Sequence, residues 1–230
     1  MKDSPAREDA VPTPRRWPQF NLRSLLFALF FVALMSGVYG YRFYQERRIT
    51  AQQRRAVEDL VAKYGVEVQF RGPWVVFLAF PLARYDESAL ESLGTVFPQL
   101  ERIVMIEIPL TRSALTSISQ VPQLRELLLM GCPIDDSSTE LIAKCEKLRK
   151  LWLSDTKISD FGIRSLAVLT HLERLDLSNT KTTDIGLKDL QALTNLKQLY
   201  LHGTRVTRAG VRDLQRTLPN CNVVTGIERP

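Results

Sequence analysis

Between Leu100 and Val224 the apolar positions return on a fixed beat. Leucine stands at Leu100, Leu124, Leu148, Leu172 and Leu196, 24 residues apart each time. Three residues after each comes Ile103, Leu127, Leu151, Leu175 or Leu199, and two further on Met105, Leu129, Leu153, Leu177 or Leu201. The x-L-x-L part alternates with period two, so it predicts one short strand per repeat with its paired leucines turned into a core. Eleven residues after each lead leucine stands Thr111, Asp135, Ser159, Thr183 or Thr207. Each can accept from the orphan N–H groups of a helix start. Apolar spacings such as Ile163/Leu166/Leu169 and Leu187/Leu190/Leu193 then predict a return segment facing the strands. Self-similarity at a period in the twenties means a solenoid: an α/β fold with parallel strands on the concave side and helices or irregular segments on the convex side. Residues 135–139 (DDSST) and Pro109 depart from the phrase, so irregular return segments are expected in the first two repeats. Pro219-Asn-Cys221 and Val223-Val224 read as a C-terminal cap.

Upstream the pattern changes. Val66–Phe70 alternates like a strand, and Trp74–Phe80 (WVVFLAF) is an apolar run too short to span a bilayer. Ser88 and Glu91 fit a capping box ahead of Leu90, Leu93, Val96 and Phe97. Residues 66–99 are therefore expected to cap the open edge of the first repeat, with five repeats and the C-terminal cap at 100–224 and a tail at 225–230. Residues 45–65 are rich in helix formers and end at Gly65, which predicts a helical stalk. A charge-free run, SLLFALFFVALMSGVYGY, lies between Arg23 and Arg42. Its length in a helix, about 27 Å, approaches the roughly 30 Å hydrocarbon core. A transmembrane helix is expected over 24–44, after a disordered basic tail at 1–23. The rival reading is a cleaved signal peptide, since Ser36, Gly37 and Gly40 follow the apolar stretch. Arginines flank the span on both sides, so orientation is weakly specified. The layout of a short basic tail, an anchor and a long following domain leans towards an exported repeat domain, with a cytoplasmic-facing one as the alternative.

The repeated Thr-Asp-x-Gly-Leu, best kept in Leu172–Leu193, resembles the leucine-rich repeat. Trp17-Pro-Gln-Phe-Asn-Leu-Arg-Ser-Leu-Leu26, Arg54-Arg-Ala-Val-Glu-Asp-Leu60 and Leu218-Pro-Asn-Cys-Asn-Val223 extend the likeness over nearly the full chain. Together they resemble short membrane-anchored leucine-rich repeat proteins of planctomycete bacteria. The resemblance implies a curved repeat domain tethered to a membrane, and brings no known chemistry.

The net charge of +6 over 230 residues changes meaning once located. Residues 1–64 hold eleven Lys/Arg against six Asp/Glu, while residues 65–230 hold twenty against nineteen. The basic surplus flanks the apolar segment, and the near-neutral repeats offer no phosphate-binding footprint, so no nucleic acid is expected. Cys132, Cys145 and Cys221 fall at repeat positions suited to small buried groups, without the C-x-x-C of a zinc or redox site. Neither His171 nor His202 has a nucleophile motif beside it, and no phosphate loop is present. The chain is expected to bind rather than catalyse, with no cofactor and no metal.

What remains is the concave face. Residues flanking the strand leucines align as Val104, Leu128, Trp152, Asp176, Tyr200 in one column. Beside it run Ile106, Met130, Ser154, Ser178, His202, and Arg102, Glu126, Lys150, Arg174, Gln198. Trp, Tyr and Arg are the usual anchors of binding faces. The candidate partner-binding residues are Lys150, Trp152, Arg174, Asp176, Tyr200 and His202, and the expected partner is a protein or peptide. The alternatives are a self-associating envelope or scaffold protein, paired weakly through the stalk, and a soluble secreted binder released by signal cleavage.

Overall fold

A computed structural model of the chain describes residues 51–71, 74–81, 87–91 and 93–226. The expected tail, membrane segment and first residues of the stalk lie outside the described residues. Among the described residues no helix is long and apolar enough to cross a membrane.

The first described element is helix α1 (Ala51–Tyr64), closed by Gly65 at φ 68° with its N–H donating to the Val61 carbonyl at 3.0 Å. This is the left-handed stop that glycine at C′ favours. The helix is not a free stalk. Leu60 and Tyr64 are buried, the Gln53 side-chain amide donates to the Val96 carbonyl at 3.0 Å, and the Tyr64 hydroxyl meets that of Ser88 at 2.8 Å. From residue 51 on, the segment expected as a stalk packs through this face. Strands β1 (Glu67–Arg71) and β2 (Trp74–Phe80) pair antiparallel, and β2 then runs parallel to β3 (Arg102–Met105). Between them the expected capping-box helix is replaced by a 3-10 turn (Glu87–Leu90) and a short helix α2 (Leu93–Val96). Ser88 is engaged by Tyr64, and Glu87 accepts from the Thr111 hydroxyl instead.

The repeats follow as α3 (Arg112–Ser119), β4 (Glu126–Leu128), α4 (Asp136–Ile142), β5 (Lys150–Trp152), α5 (Asp160–Leu166), β6 (Arg174–Asp176), α6 (Asp184–Asp189), β7 (Gln198–Tyr200), α7 (Arg208–Thr217) and β8 (Asn222–Val224). All eight strands of the described residues form one sheet in chain order, parallel from β2 onward. Core leucines such as Leu127, Leu151, Leu175 and Leu199 have no exposure at all. Each N-cap stands where the spacing put it: Thr111, Asp135, Ser159, Thr183 and Thr207 all accept a backbone N–H through the side chain. The first two return segments are regular helices, against expectation. In α4 the reason lies inside DDSST: Asp135 and Ser138 form a reciprocal capping box, and Thr139 is buried with its hydroxyl bonded to the Asp136 carbonyl.

Two further ladders run along the solenoid. Glu107, Gly131, Asp155, Asn179 and Gly203, seven residues after each lead leucine, all have φ between 56° and 67°. The amides of the first four reach the next repeat, as in Asn179 N–H to the His202 carbonyl at 2.7 Å. The second ladder uses Asp136, Asp160 and Asp184. Each carboxylate crosses to the following repeat and accepts from both the N–H and the hydroxyl of its N-cap: Ser159 at 2.7 and 2.6 Å, Thr183 and Thr207 at 2.8 and 2.6 Å. Asp160 and Asp184 also stand in the first turn of their helices, where the dipole favours an acid, but their hydrogen bonds are what hold neighbouring repeats together.

Candidate concave binding face

Strict 24-residue spacing becomes strict register. Trp152 pairs with Asp176 and Asp176 with Tyr200, while Lys150, Arg174 and Gln198 align one column over. Strands about 4.8 Å apart place Trp152 and Tyr200 roughly 10 Å from each other with one carboxylate between. All three central residues are half-buried, whereas the intervening leucines are fully enclosed. Ala79 and Val104 extend the column at one end and Val224 at the other, giving a mainly apolar track interrupted by Asp176.

The six candidate residues are not equivalent. Trp152, Asp176 and Tyr200 form a contiguous set. Asp176 also works locally, its Oδ1 accepting the Ser178 N–H at 2.8 Å. Arg174 is exposed. Lys150 is not a free cation, because its Nζ lies 2.5 Å from a Glu126 carboxylate oxygen. Arg102 binds the same carboxylate from the other side. Partial burial works to raise the Glu126 pKa, but the hydrogen bonds and charges of Arg102 and Lys150 outweigh it and bring it below the ordinary carboxylate value. His202 is exposed beyond the end of β7, with Gly226 close by: a Cβ at Gly226 would lie 2.6 Å from Nδ1.

One cluster was visible only in part from the sequence, which aligned Arg102, Glu126 and Lys150 but not Glu101, Arg125, Arg149 and Glu173. At the start of the strands a cleft of about 320 Å³ is lined by Arg71, Arg102, Arg125, Arg149 and Lys150 together with Glu101, Glu126 and Glu173. The signal was the alignment of residues just before each strand, which the columns between the leucines did not include.

The cysteines take no part in such surfaces. All three are free and buried, and burial pushes the thiols of Cys132 and Cys221 up to about 11 and that of Cys145 to about 12. Thiolate nucleophiles are therefore absent from them at neutral pH. Among the described residues no group of three His, Cys, Asp or Glu side chains could hold a metal ion.

A leucine-rich repeat family model matches residues 146–206, the stretch with the most regular ladders. That stretch carries leucine-rich repeats. Among solved structures, internalin C2 of Listeria monocytogenes is similar at 17% identity, with 76% of this chain and 85% of that one covered and a TM-score of 0.50. Another Listeria monocytogenes internalin gives 20% identity and a TM-score of 0.47 over 58% of this chain. A leucine-rich repeat protein of Leptospira interrogans gives 19% and 0.43 over 56%. The chain spans only 36% and 38% of the length of these last two. No curated protein matches it at a significant level.

Proposed function

We propose that this leucine-rich repeat protein is a membrane-tethered module that binds a protein or peptide partner on its concave face. The observation that carries the reading is the register bringing Trp152, Asp176 and Tyr200 side by side. An aromatic pair flanking a carboxylate can bury apolar area while recognising one polar or basic group. The tether rests on the apolar run 24–41 and on the likeness to membrane-anchored planctomycete proteins. Export of the repeats rests on the layout of tail, anchor and domain.

Photo-crosslinking in native membranes tests the binding face. A crosslinking residue at position 200 is expected to capture a discrete partner, and one at convex position 188 to capture none. Trp152→Ala should weaken capture from position 200 at least tenfold, since truncating such an anchor costs about 2 kcal/mol or more. Equal capture from the two positions would assign binding elsewhere. Recovery of the intact chain in a carbonate wash would remove the tether and leave the concave reading standing.

A further inference from the structure

The charges at the strand-start rim form two rows across the repeats. The outer row is Glu101, Arg125, Arg149, Glu173, Lys197; the inner is Arg102, Glu126, Lys150, Arg174, Gln198. Backbone bonds keep the rows in step, with Arg125 N–H donating to the Glu101 carbonyl and Arg149 N–H to that of Arg125, both at 2.8 Å. Glu126 and Glu173 close on the cations either side of them, while Glu101 turns to Arg71 and leaves Arg125 aside. Glu126 joins Arg102 and Lys150, Glu173 reaches Lys197 at 2.8 Å and Arg149 at 3.4 Å, and Glu101 takes Arg71 at 2.8 Å.

Two cations stand side by side once in each row, and at adjoining places. Arg125 stands beside Arg149, and Lys150 beside Arg174. Arg125 and Arg174 are exposed, and neither has an ion-pair partner among the described residues. Like charges facing each other on neighbouring strands are unfavourable, and a carboxylate between them reverses the sign of the interaction. The guanidinium fork suits a carboxylate with two parallel hydrogen bonds.

We propose that this rim binds an acidic segment of a protein partner, seating Asp or Glu carboxylates at Arg125/Arg149 and at Arg174. The proposal deepens the concave reading and rests on it in one respect, that this side of the sheet meets a protein chain. Carboxylate is favoured over phosphate by the rows themselves. Glutamates already fill the equivalent slots at the same spacing. Glu101, Glu126 and Glu173 in the same cleft would also repel a phosphate of charge about −2 more than a single carboxylate.

The test uses the full chain in zwitterionic detergent and a fluorescent hexaglutamate, N-acetylated and C-amidated, read by anisotropy. Six extended residues reach roughly 20 Å, about four strands. Hexaglutamate is expected to bind, weaken with added salt, and lose at least tenfold in affinity in Arg125→Gln/Arg149→Gln. Arg216→Gln, whose residue pairs with Asp213 on α7, should bind as wild type. Folding of the double variant is checked by circular dichroism, and removing two facing cations should leave its Tm level or raised. Arg174→Gln alone should give a smaller loss. Undiminished binding by the double variant, or tighter binding of a six-nucleotide oligothymidylate than of hexaglutamate, overturns the proposal. Trp152→Ala should leave hexaglutamate affinity within twofold. A rim that responds to the arginine changes while position 200 captures nothing therefore separates this proposal from the concave one.

Discussion

The junction between the first two repeats and the three junctions after it are held by different chemistry. In the later ones Asp136, Asp160 and Asp184 reach forward to the next N-cap, and Gly162, Gly186 and Gly210 stand opposite them. A Cβ on those glycines would lie 2.5, 2.6 and 2.1 Å from the respective Oδ1 atoms. None of the three has positive φ, so the glycine supplies room rather than a special backbone turn. At the first junction the equivalent residue is Arg112, and Ser138 occupies the glycine position without conflict. There Arg112 only reaches the Ser137 carbonyl at 3.5 Å, and the junction has the strand-side pair Arg102–Glu126, a kind of contact that the later junctions have in addition to their braces. The contrast teaches that Asp and Gly, 26 residues apart, are one device. Where the carboxylate is missing, the glycine is too.

The largest effect should come from removing a carboxylate. Asp160→Ala leaves the N–H and hydroxyl of Thr183 without their charged acceptor. Hydrogen bonds to charged groups are worth about 1.5–3 kcal/mol each, so a loss of about 2–3 kcal/mol is expected in urea denaturation of the full chain. Arg112→Ala, at the matching position of the first junction, should stay within about 0.5 kcal/mol. Equal losses at the two positions would erase the distinction.

The glycine offers a sharper test, because propensity and packing predict opposite signs. Alanine in a helix interior is ordinarily favoured over glycine by about 1 kcal/mol. In α7, however, the added methyl of Gly210→Ala meets the Asp184 carboxylate, which Thr207 holds in place. We expect Gly210→Ala to cost about 1–2 kcal/mol through this overpacking. Combined with Asp184→Ala, the same change should become neutral or stabilising, a coupling a double-mutant cycle reads directly. Additive losses would mean that the two residues do not form one unit.

Much of this architecture was legible in the residues. The lead leucines, the five N-caps and the strand columns follow from spacing alone, since parallel stacking converts a constant period into register. The braces were harder to see. Asp184 reads equally well as a helix-dipole residue, and only the neighbouring repeat shows where its oxygens point. The left-handed ladder was hidden because Glu107, Gly131, Asp155, Asn179 and Gly203 share a backbone conformation but not a side chain. DDSST misled because its polar residues bond locally within one turn, a pattern that hydrophobic spacing does not register. The candidate site was half visible. Columns between the leucines show which residues align, but not that Lys150 is taken by Glu126 or that Arg125 is left over.

The smallest effect separates the junctions by pH. Glu126 is the only carboxylate of its row, and among the described residues it ties β3 to β4 and β4 to β5. Its pKa in the fold lies below the ordinary value, because Arg102 and Lys150 outweigh the effect of burial. A depressed carboxylate pKa contributes stability above the unfolded value, about 4.3, and loses it as pH falls through the folded value. Glu126→Gln should therefore be less stable than wild type at neutral pH and converge with it at strongly acid pH. The neutral difference should be modest, up to about 1 kcal/mol, since Arg102 and Lys150 remain partly exposed and salt screens them. Hydrogen exchange can assign the loss to place. The Arg125 and Glu126 amides, which donate to the Glu101 carbonyl, should exchange faster in the variant, while those of Lys197 and Gln198, bonded to the Glu173 carbonyl, keep their protection. A pH-independent difference, or equal loosening at both places, would show that the first junction does not depend on this ion pair and that the two ends of the solenoid are held alike.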